Sequence, residues 1–357
     1  MESLQQSDDI RQQPARLLGT RHARIAVAAA TAVAAAVAIV LVFTLGGPEQ
    51  TTDDSVAATL RVPGHPGWVT AGDDAMWLTL NCDVPGGCET RGFVRIELAT
   101  GAVEKTVPLT GEPSYTVRVG DALIADRFPD GPDKPGELLR LDWKTGEILA
   151  RRSVPFGPGE LVWGGGALWL GHFQRNAPSA IHQIDPETLQ PLGDPLPISN
   201  HMSVGLAYGD GMLWATASDD GELVRIDPQS GETARVEVGR FPVGVALAGG
   251  SVWVANRESG TVSRVNPQTM QTVGDPIETG GNSTWIVAAA GSVWVASQDD
   301  GTVTRIDAST GEKIGSPIRI AAPSDFDGAA HAMSVVDGSI WVTSLTEDTV
   351  SRIQTAR

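Results

Sequence analysis

From residue 57 onward, apolar and polar residues alternate in short runs separated by turns rich in Gly and Asp. The runs at 251–255 (SVWVA) and 260–266 (GTVSRVN) show the pattern. A period of two residues predicts half-buried β-strands. Pairs such as Gly249-Gly250 suit tight hairpins, because those turns require positive φ. The pattern therefore predicts an all-β domain over residues 57–357.

One of these runs recurs along the whole domain. Its copies lie at 75–80, 122–126, 167–171, 212–216, 251–255, 292–296 and 339–343. The residues at the equivalent position are spaced by 44 on average, and they are Trp77, Ile124, Trp169, Trp214, Trp253, Trp294 and Trp341. A period of 40–45 residues that is built from strands is typical of a β-propeller, in which each repeat forms one blade.

Each repeat resolves into four strands, named A to D from the axis outward. Strand A is expected to be rich in Gly, Ala and Val, because only small residues fit near a narrow axis. Strand B carries the large residue that fills the layer between blades. Strand C carries an Arg that we expect to be structural, at Arg95, Arg140, Arg225, Arg264, Arg305 and Arg352. Strand D is the outer edge, where Pro is tolerated.

The last repeat ends after its C strand, so one outer strand is missing. Residues 57–62 (AATLRV) precede the first A strand and can supply it. We therefore predict a seven-bladed β-propeller of four-stranded blades, closed by an N-terminal latch strand.

Residues 25–45 form a run of 21 residues without a charge. A helix of that length rises about 31 Å, which matches the roughly 30 Å hydrocarbon core of a bilayer. A cleavable signal peptide is the alternative, but its apolar region is usually shorter and ends in a small-x-small site. Arg11, Arg16, Arg21 and Arg24 precede the span. The positive-inside rule then predicts a cytoplasmic tail at 1–24, a single transmembrane helix at 25–45, a linker at 46–56 and an extracytoplasmic propeller.

Charge and cysteine content narrow the function classes. The net charge of -17 argues against binding to nucleic acid. The basic residues are 22 Arg and 4 Lys, which suggests a GC-rich bacterial source. The two cysteines, Cys82 and Cys88, lie in one loop, and we expect them to form a disulfide in an oxidising compartment.

The motifs G-[ST]-[VI]-W-V-[AT] and G-T-V-[ST]-R-[IV]-[DN]-P resemble those of the seven-bladed YVTN/YncE-type and virginiamycin B lyase-like propellers, which are related to the NHL group. The resemblance covers residues 57–357. The lyase resemblance implies a catalytic His, a second His at the substrate and carboxylate-bound magnesium. His331 is the nearest candidate for such a His, and no Glu stands next to it.

In a propeller, the B–C and D–A loops lie on one face, here called the loop-rich face. The A–B and C–D turns lie on the opposite, tight-turn face. Insertions at 81–91, 126–136 and 172–179 fall in B–C loops, and length variation on one face is typical of a binding face. The candidate contacts are therefore His65, Arg127, Phe128, His172, Phe173, Arg175, His201, Phe241, Asn256, Arg257 and His331.

We expect a non-enzymatic protein that binds an envelope ligand or protein partner through this face and needs no cofactor. The alternative is a metal-assisted lyase or lactonase-type hydrolase at the channel mouth. It would use His201 and His331, with a divalent metal held by carboxylates of the short B–C turns (Asp219, Asp220, Glu258, Asp299 and Asp300). Because strand D runs toward the loop-rich face, the latch strand must begin on the tight-turn face. The loop-rich face is then expected to point away from the membrane.

Overall fold

The computed structural model describes residues 55–81, 91–128, 135–172, 178–324 and 328–355. The predictions for the tail at 1–24, the span at 25–45, most of the linker, the Cys82–Cys88 disulfide, Phe173 and Arg175 lie outside these ranges. Within them, no helix is long and apolar enough to cross a membrane.

Seven antiparallel sheets form the seven predicted blades, so the repeat count is confirmed. Each of blades 1–6 uses consecutive strands, in the order A to D. The strands of blades 1–3 are His65–Ala71, Ala75–Asn81, Gly92–Glu97 and Val103–Pro108; Glu112–Val119, Ala122–Phe128, Gly136–Asp142 and Ile148–Val154; and Pro158–Gly164, Ala167–His172, Ser179–Ile184 and Pro191–Ser199.

The remaining blades repeat this order, with the outer strand of blade 5 split into two short segments around Pro276. Their strands are Ser203–Gly209, Met212–Ala217, Glu222–Ile226 and Thr233–Glu237; Pro242–Ala248, Ser251–Asn256, Thr261–Asn266, Gln271–Thr272 and Ile277–Glu278; Ser283–Ala289, Ser292–Ser297, Thr302–Asp307 and Lys313–Arg319; and Met333–Val336, Ser339–Ser344 and Thr349–Gln354.

The outer strand of blade 7 is Val56–Arg61, which pairs antiparallel with Thr349–Gln354. Val56 lies opposite Ile353, at the end of a C strand, and Arg61 lies opposite Thr349. The chain therefore enters this sheet from the tight-turn face and runs toward the loop-rich face.

In the A–B turns of blades 3 to 7, two successive residues have positive φ angles. In blade 4, Asp210 has φ 53° and Gly211 has φ 77°, and in blade 7 the corresponding values are 47° at Asp337 and 65° at Gly338. Two successive positive φ values define the hairpin turn that matches the twist of the flanking strands. These turns keep one face of the propeller compact.

The strand-B tryptophans fill the layers between blades, as predicted. Trp77, Trp214, Trp253 and Trp294 are at most 1% exposed. The Trp253 indole N–H donates to the carbonyl of Ala248 at 3.1 Å, so the buried polar edge is satisfied.

The strand-C arginines are structural, and those of blades 5 to 7 share one set of partners that differs from the partners in blade 1. Arg95 pairs with Asp74 at 2.8 Å and also with Glu104. The Arg264 guanidinium instead lies 5.2 Å from the ring centroid of Trp253, its cross-strand neighbour, and donates to Ser251 Oγ.

The expectation that strand A holds only small residues is wrong in four blades. Trp68, Tyr115, Glu160 and Trp285 occupy the register position at which the other blades have small residues, namely Gly205, Gly244 and Ala332. A Cβ built on Gly205 would lie 1.7 Å from the carbonyl oxygen of Val243 in the next blade. The glycines of blades 4 and 5 allow their A strands to approach the next blade closely, and large side chains occupy the axis from blades 1, 2, 3 and 6.

Candidate functional site

A pocket with a volume of about 710 Å³ lies on the loop-rich face between blades 5 and 6. The B–C turn of blade 5 forms one wall, and the connection between the two blades forms the other. Its lining residues are Phe241, Arg257, Glu258, Ser259, Gly260, Glu278, Gly280, Gly281, Asn282 and Asp299. The structure therefore brings together two predicted contacts, Phe241 and Arg257, and adds Asn282.

A chain of polar contacts holds the inner wall of this pocket. Arg257 Nε donates to Asn282 Oδ1 at 2.6 Å, and Asn282 Nδ2 donates to Asp299 Oδ1 at 3.0 Å. The Arg257 guanidinium also lies over the Phe241 ring, 6.0 Å from its centroid. These contacts fix a guanidinium, an amide and a carboxylate in sequence along the pocket.

Two lining residues have the left-handed backbone conformation without being glycine. Phe241 has φ 51° and Asn282 has φ 55°. Asn tolerates this region, but a bulky aromatic residue there is a genuine outlier. Backbone strain of this kind clusters at functional sites, so the conformation of Phe241 favours a functional role for the pocket.

Asn256 does not line the pocket, which corrects its assignment as a surface contact. Its side chain is fully buried inside blade 5, where Nδ2 donates to Ser263 Oγ at 3.0 Å and contacts Thr261. The loop begins one residue later than the sequence pattern suggests, because Asn256 is the last residue of its strand.

His201 forms a pair with a carboxylate on the loop-rich face of blade 4. Its Nδ1 lies 2.7 Å from Asp220 Oδ1, and Ser199 Oγ bonds to the other carboxylate oxygen. Burial acts to raise the pKa of Asp220, but the bonds from Ser199 and His201 leave it below its ordinary value. The carboxylate stands between Ser and His, whereas nucleophilic catalysis by Ser requires the His to contact the hydroxyl.

His331 lies apart from that pair, just before the A strand of blade 7. Its Nδ1 is 3.1 Å from Gln298 Nε2, and its ring centroid is 6.4 Å from that of Trp285. His65 is the first residue of its strand and lies 2.7 Å from Asp348, across the seam between blades 7 and 1. These two histidines therefore have separate structural partners.

His172 is the last residue of strand B in blade 3, where it packs with Phe156 and His182. The Phe156 ring centroid lies 4.6 Å from that of His172 and 4.3 Å from that of His182. Burial and the neighbouring His172 lower the pKa of His182 to about 4. The three rings pack together between blades 2 and 3.

Arg127 pairs with Glu137 at 2.7 Å and contacts Thr110, within blade 2 and at its rim. Phe128 ends the same strand. Among the described residues, the predicted contacts are therefore distributed around the ring, and Phe241 and Arg257 line the same pocket. Among the described residues, no group of three His, Cys, Asp or Glu side chains is placed to hold a metal ion.

Three aromatic rings meet in the central channel, and the sequence motifs do not predict them. The ring centroids of Trp68 and Tyr115 are 4.8 Å apart, as are those of Trp68 and Trp285. The Trp285 indole N–H is buried and has no hydrogen-bond partner in the described part of the chain. Because these rings come from blades 1, 2 and 6 and are in contact, they meet at the axis of the ring.

Two carboxyl groups lie beside the aromatic cluster. Glu160 Oε2 accepts the Leu206 N–H at 2.7 Å, yet burial raises the pKa of Glu160 to about 8. Asp126 is fully buried and accepts the Tyr115 N–H at 2.5 Å, and burial raises its pKa well above the ordinary value. Burial and the charges of these two groups raise the pKa of Tyr115 in turn. Glu160 is therefore mostly protonated at neutral pH.

The repeat itself contains a signal for one of these residues. In blades 1, 4 and 7, the hydroxyls of Thr79, Thr216 and Thr343 each accept the N–H of the equivalent strand-A residue. Asp126 occupies the same position in blade 2 and accepts the Tyr115 N–H. Aligning the repeats with one another, position by position, reveals the exception. The motifs of strands B and C do not reveal it, because they are centred on the Trp and Arg positions.

The fold and its faces place the protein in the class of seven-bladed β-propellers. No protein-family model matches the chain, and no curated protein matches it. Solved structures match at low identity, and such likeness shows the fold alone. Virginiamycin B lyase from Staphylococcus aureus has a TM-score of 0.68 at 17% identity, and the match covers 85% of this chain and 100% of the lyase.

Two further solved structures show how widely this fold is used. A streptogramin B lyase has a TM-score of 0.65 at 14% identity, with 84% of this chain and 96% of the lyase covered. BamB from Moraxella catarrhalis has a TM-score of 0.56 at 15% identity, with 85% of this chain and 100% of BamB covered. The same architecture thus occurs in lyases and in a protein that is not named as an enzyme, so function must be argued from the site.

Proposed function

We propose that this protein is a membrane-anchored, extracytoplasmic binding protein that takes a ligand or protein partner through its loop-rich face. The pocket between blades 5 and 6 carries the proposal. Its polar wall is already ordered by the Arg257–Asn282–Asp299 contacts, and Phe241 is held in a strained conformation beside it. A preformed pocket with a few fixed polar groups is the usual form of a ligand site.

The anchor is proposed from the uncharged run at 25–45 and from the Arg residues before it. The position of Val56 on the tight-turn face supports the orientation, because a linker that arrives there leaves the opposite face free. The loop-rich face and its pocket then point away from the lipid surface.

A capture experiment with matched variants tests this function. Full-length protein is immobilised and exposed to detergent-solubilised cell envelope, beside Arg257→Ala and a control, Asp210→Gly, on the tight-turn face. Material retained by the wild type and the control but lost from Arg257→Ala is expected. Equal recovery by all three proteins would remove the basis for assigning binding to this face.

A second candidate function is a metal-assisted lyase, and the His201–Asp220 pair favours it. The likeness to two lyases, of virginiamycin B and of streptogramin B, points in the same direction. His331, the other histidine of that hypothesis, contacts Gln298 instead, so we rank this function second. Metal analysis of the purified protein distinguishes the two: stoichiometric metal that is lost in His201→Ala would favour the lyase.

A further inference from the structure

We propose that the loop-rich mouth of the central channel binds an organic ammonium ion, held by Glu160 and by the rings of Trp68, Tyr115 and Trp285. These four side chains are here called the axial cluster. They share one register position on the A strands of blades 1, 2, 3 and 6, a few residues after each strand leaves the loop-rich face. The described lining of the pocket between blades 5 and 6 contains none of them, so this is a second site on the same face.

The axial cluster is enclosed by the ring of blades but is not sealed. All four of its side chains are half-buried, so each keeps part of its surface accessible to solvent. The rings of Trp68 and Tyr115 are in contact, as are those of Trp68 and Trp285. The charge of Glu160 acts on the Tyr115 hydroxyl from the neighbouring blade. A ligand at the channel mouth would therefore meet a carboxyl group and aromatic rings together.

Glu160 has no positively charged partner. Its Oε2 accepts the Leu206 N–H at 2.7 Å, and burial is what raises its pKa. Asp126, the other carboxyl group near the axis, is fully buried, and its Oδ2 has no hydrogen-bond partner in the described part of the chain. Burying a carboxyl group without a cation is costly, and such a group in a cleft is a candidate for a functional site. An ammonium ligand would supply the missing positive charge.

The histidine beside the cluster does not supply that charge in this arrangement. The His331 ring centroid lies 6.4 Å from that of Trp285, and Gln298 Nε2 lies 3.1 Å from His331 Nδ1. An amide nitrogen only donates, so Nδ1 accepts this hydrogen bond and carries no proton. The contact therefore favours the neutral imidazole. Within the described ranges, the titratable groups around the cluster are thus two carboxyl groups, a phenol and this imidazole, none of them a cation.

The three rings favour an organic cation over a metal ion. The angles between their planes are 64°, 83° and 74°, so the ring faces point in three different directions. The face of an aromatic ring attracts a cation, most strongly for Trp, and aromatic clusters are a recurring way to recognise alkylammonium groups. Ions such as Ca²⁺ and Mg²⁺ instead require about six oxygen ligands, whereas the accessible carboxyl group of this cluster is that of Glu160 alone.

Isothermal titration calorimetry of the full-length protein in a nonionic detergent tests the site at pH 9, with choline and tetramethylammonium as probes. Saturable binding of at least one probe is expected. Glu160→Gln keeps the shape of the side chain but removes its charge, so it should weaken binding about tenfold or more. Trp285→Leu removes one ring and should weaken it several-fold. Glu232→Gln makes the same charge change on an exposed outer turn, so this matched control should bind as the wild type does.

The pH dependence of binding separates a contact with the ligand from a structural role of Glu160. Because burial raises the pKa of Glu160 to about 8, a bound cation must displace its proton at lower pH. The affinity for tetramethylammonium, whose own charge does not change, should therefore rise about tenfold for each pH unit between pH 6 and about 8, and then level off. Glu160→Gln should lose this dependence. Tyr115, Asp126 and His331 are unchanged in that variant, so the difference reports on Glu160.

An uncharged counterpart of choline, 3,3-dimethylbutan-1-ol, separates recognition of charge from recognition of shape, and it is not expected to bind. Absence of saturable binding by both ammonium probes would overturn the proposal. Equal affinity of the wild type and Glu160→Gln would also overturn it, as would binding of the alcohol as tight as that of choline. Each of these results leaves the capture experiment with Arg257→Ala free to support the binding function of the loop-rich face.

Discussion

Replacing Glu160 by Gln is expected to change how the stability of this protein depends on pH. Glu160 lies at the central channel, where its Oε2 accepts the Leu206 N–H at 2.7 Å. Burial raises its pKa from 4.5 to about 8. The folded state therefore holds a proton between these two pH values that the unfolded chain has released.

The sign follows from proton binding. Because the folded state binds more protons in this window, the free energy of unfolding falls as pH rises from 4.5 to about 8. The difference between the folded and unfolded pKa of Glu160 corresponds to at most ~5 kcal/mol in the free energy of unfolding, because each tenfold change in proton affinity is about 1.4 kcal/mol. Gln resembles the protonated acid in shape and still accepts the Leu206 N–H, but it cannot ionise.

Thermal unfolding followed by tryptophan fluorescence measures this effect at pH 5, 7 and 9. At pH 5 the variant and wild type should melt within a degree of each other. At pH 9 the variant should melt higher by about 5–8 °C, given about 2.1 cal/mol/K of unfolding entropy per residue. Asp126 is unchanged in both proteins, so the difference between them reports on Glu160.

Glu232→Gln is the control, because Glu232 is exposed on an outer turn. It should follow the wild type at every pH. Parallel pH profiles for the wild type and Glu160→Gln would refute the reasoning, since they would mean that Glu160 is ionised in the folded protein at no cost.

Five further substitutions, two of them controls, test the packing of the propeller. Gly205→Ala should destabilise the folded protein by about 3 kcal/mol, because the added Cβ would meet the Val243 carbonyl. Gly171→Ala is its control and should have a small effect in the same melting assay, because the nearest atom to its Cβ would lie at 3.5 Å. Trp68→Phe should lower the free energy of unfolding by about 1 kcal/mol through loss of the hydrogen bond to the Thr116 carbonyl. Trp285→Phe should not lose this contribution, because its N–H is buried without a partner among the described residues. Comparable losses of stability in the two variants would contradict this. Leu60→Ala should cost about 2–3 kcal/mol if residues 56–61 close blade 7, and an unchanged melting temperature would argue against that pairing.

The candidate site was predictable only in part. Phe241 and Arg257 were found because both lie in loops of the face that the repeat identifies. Asn282 was missed because it belongs to the next blade, and only the ring brings it to Arg257. Asn256 was misplaced by one residue at the end of a strand, which is enough to move a side chain from the surface to the interior.

The number of blades, the order of strands in each and the layer of buried tryptophans follow from the amino-acid sequence alone. These features depend on local periodicity and on turn residues such as Asp210-Gly211, which act over a few positions. In contrast, the meeting of Trp68, Tyr115 and Trp285 at the axis and the raised pKa of Glu160 arise from the folding of the whole ring. Those outcomes depend on side chains that are distant in the sequence and on the water excluded between them, and a local pattern contains neither.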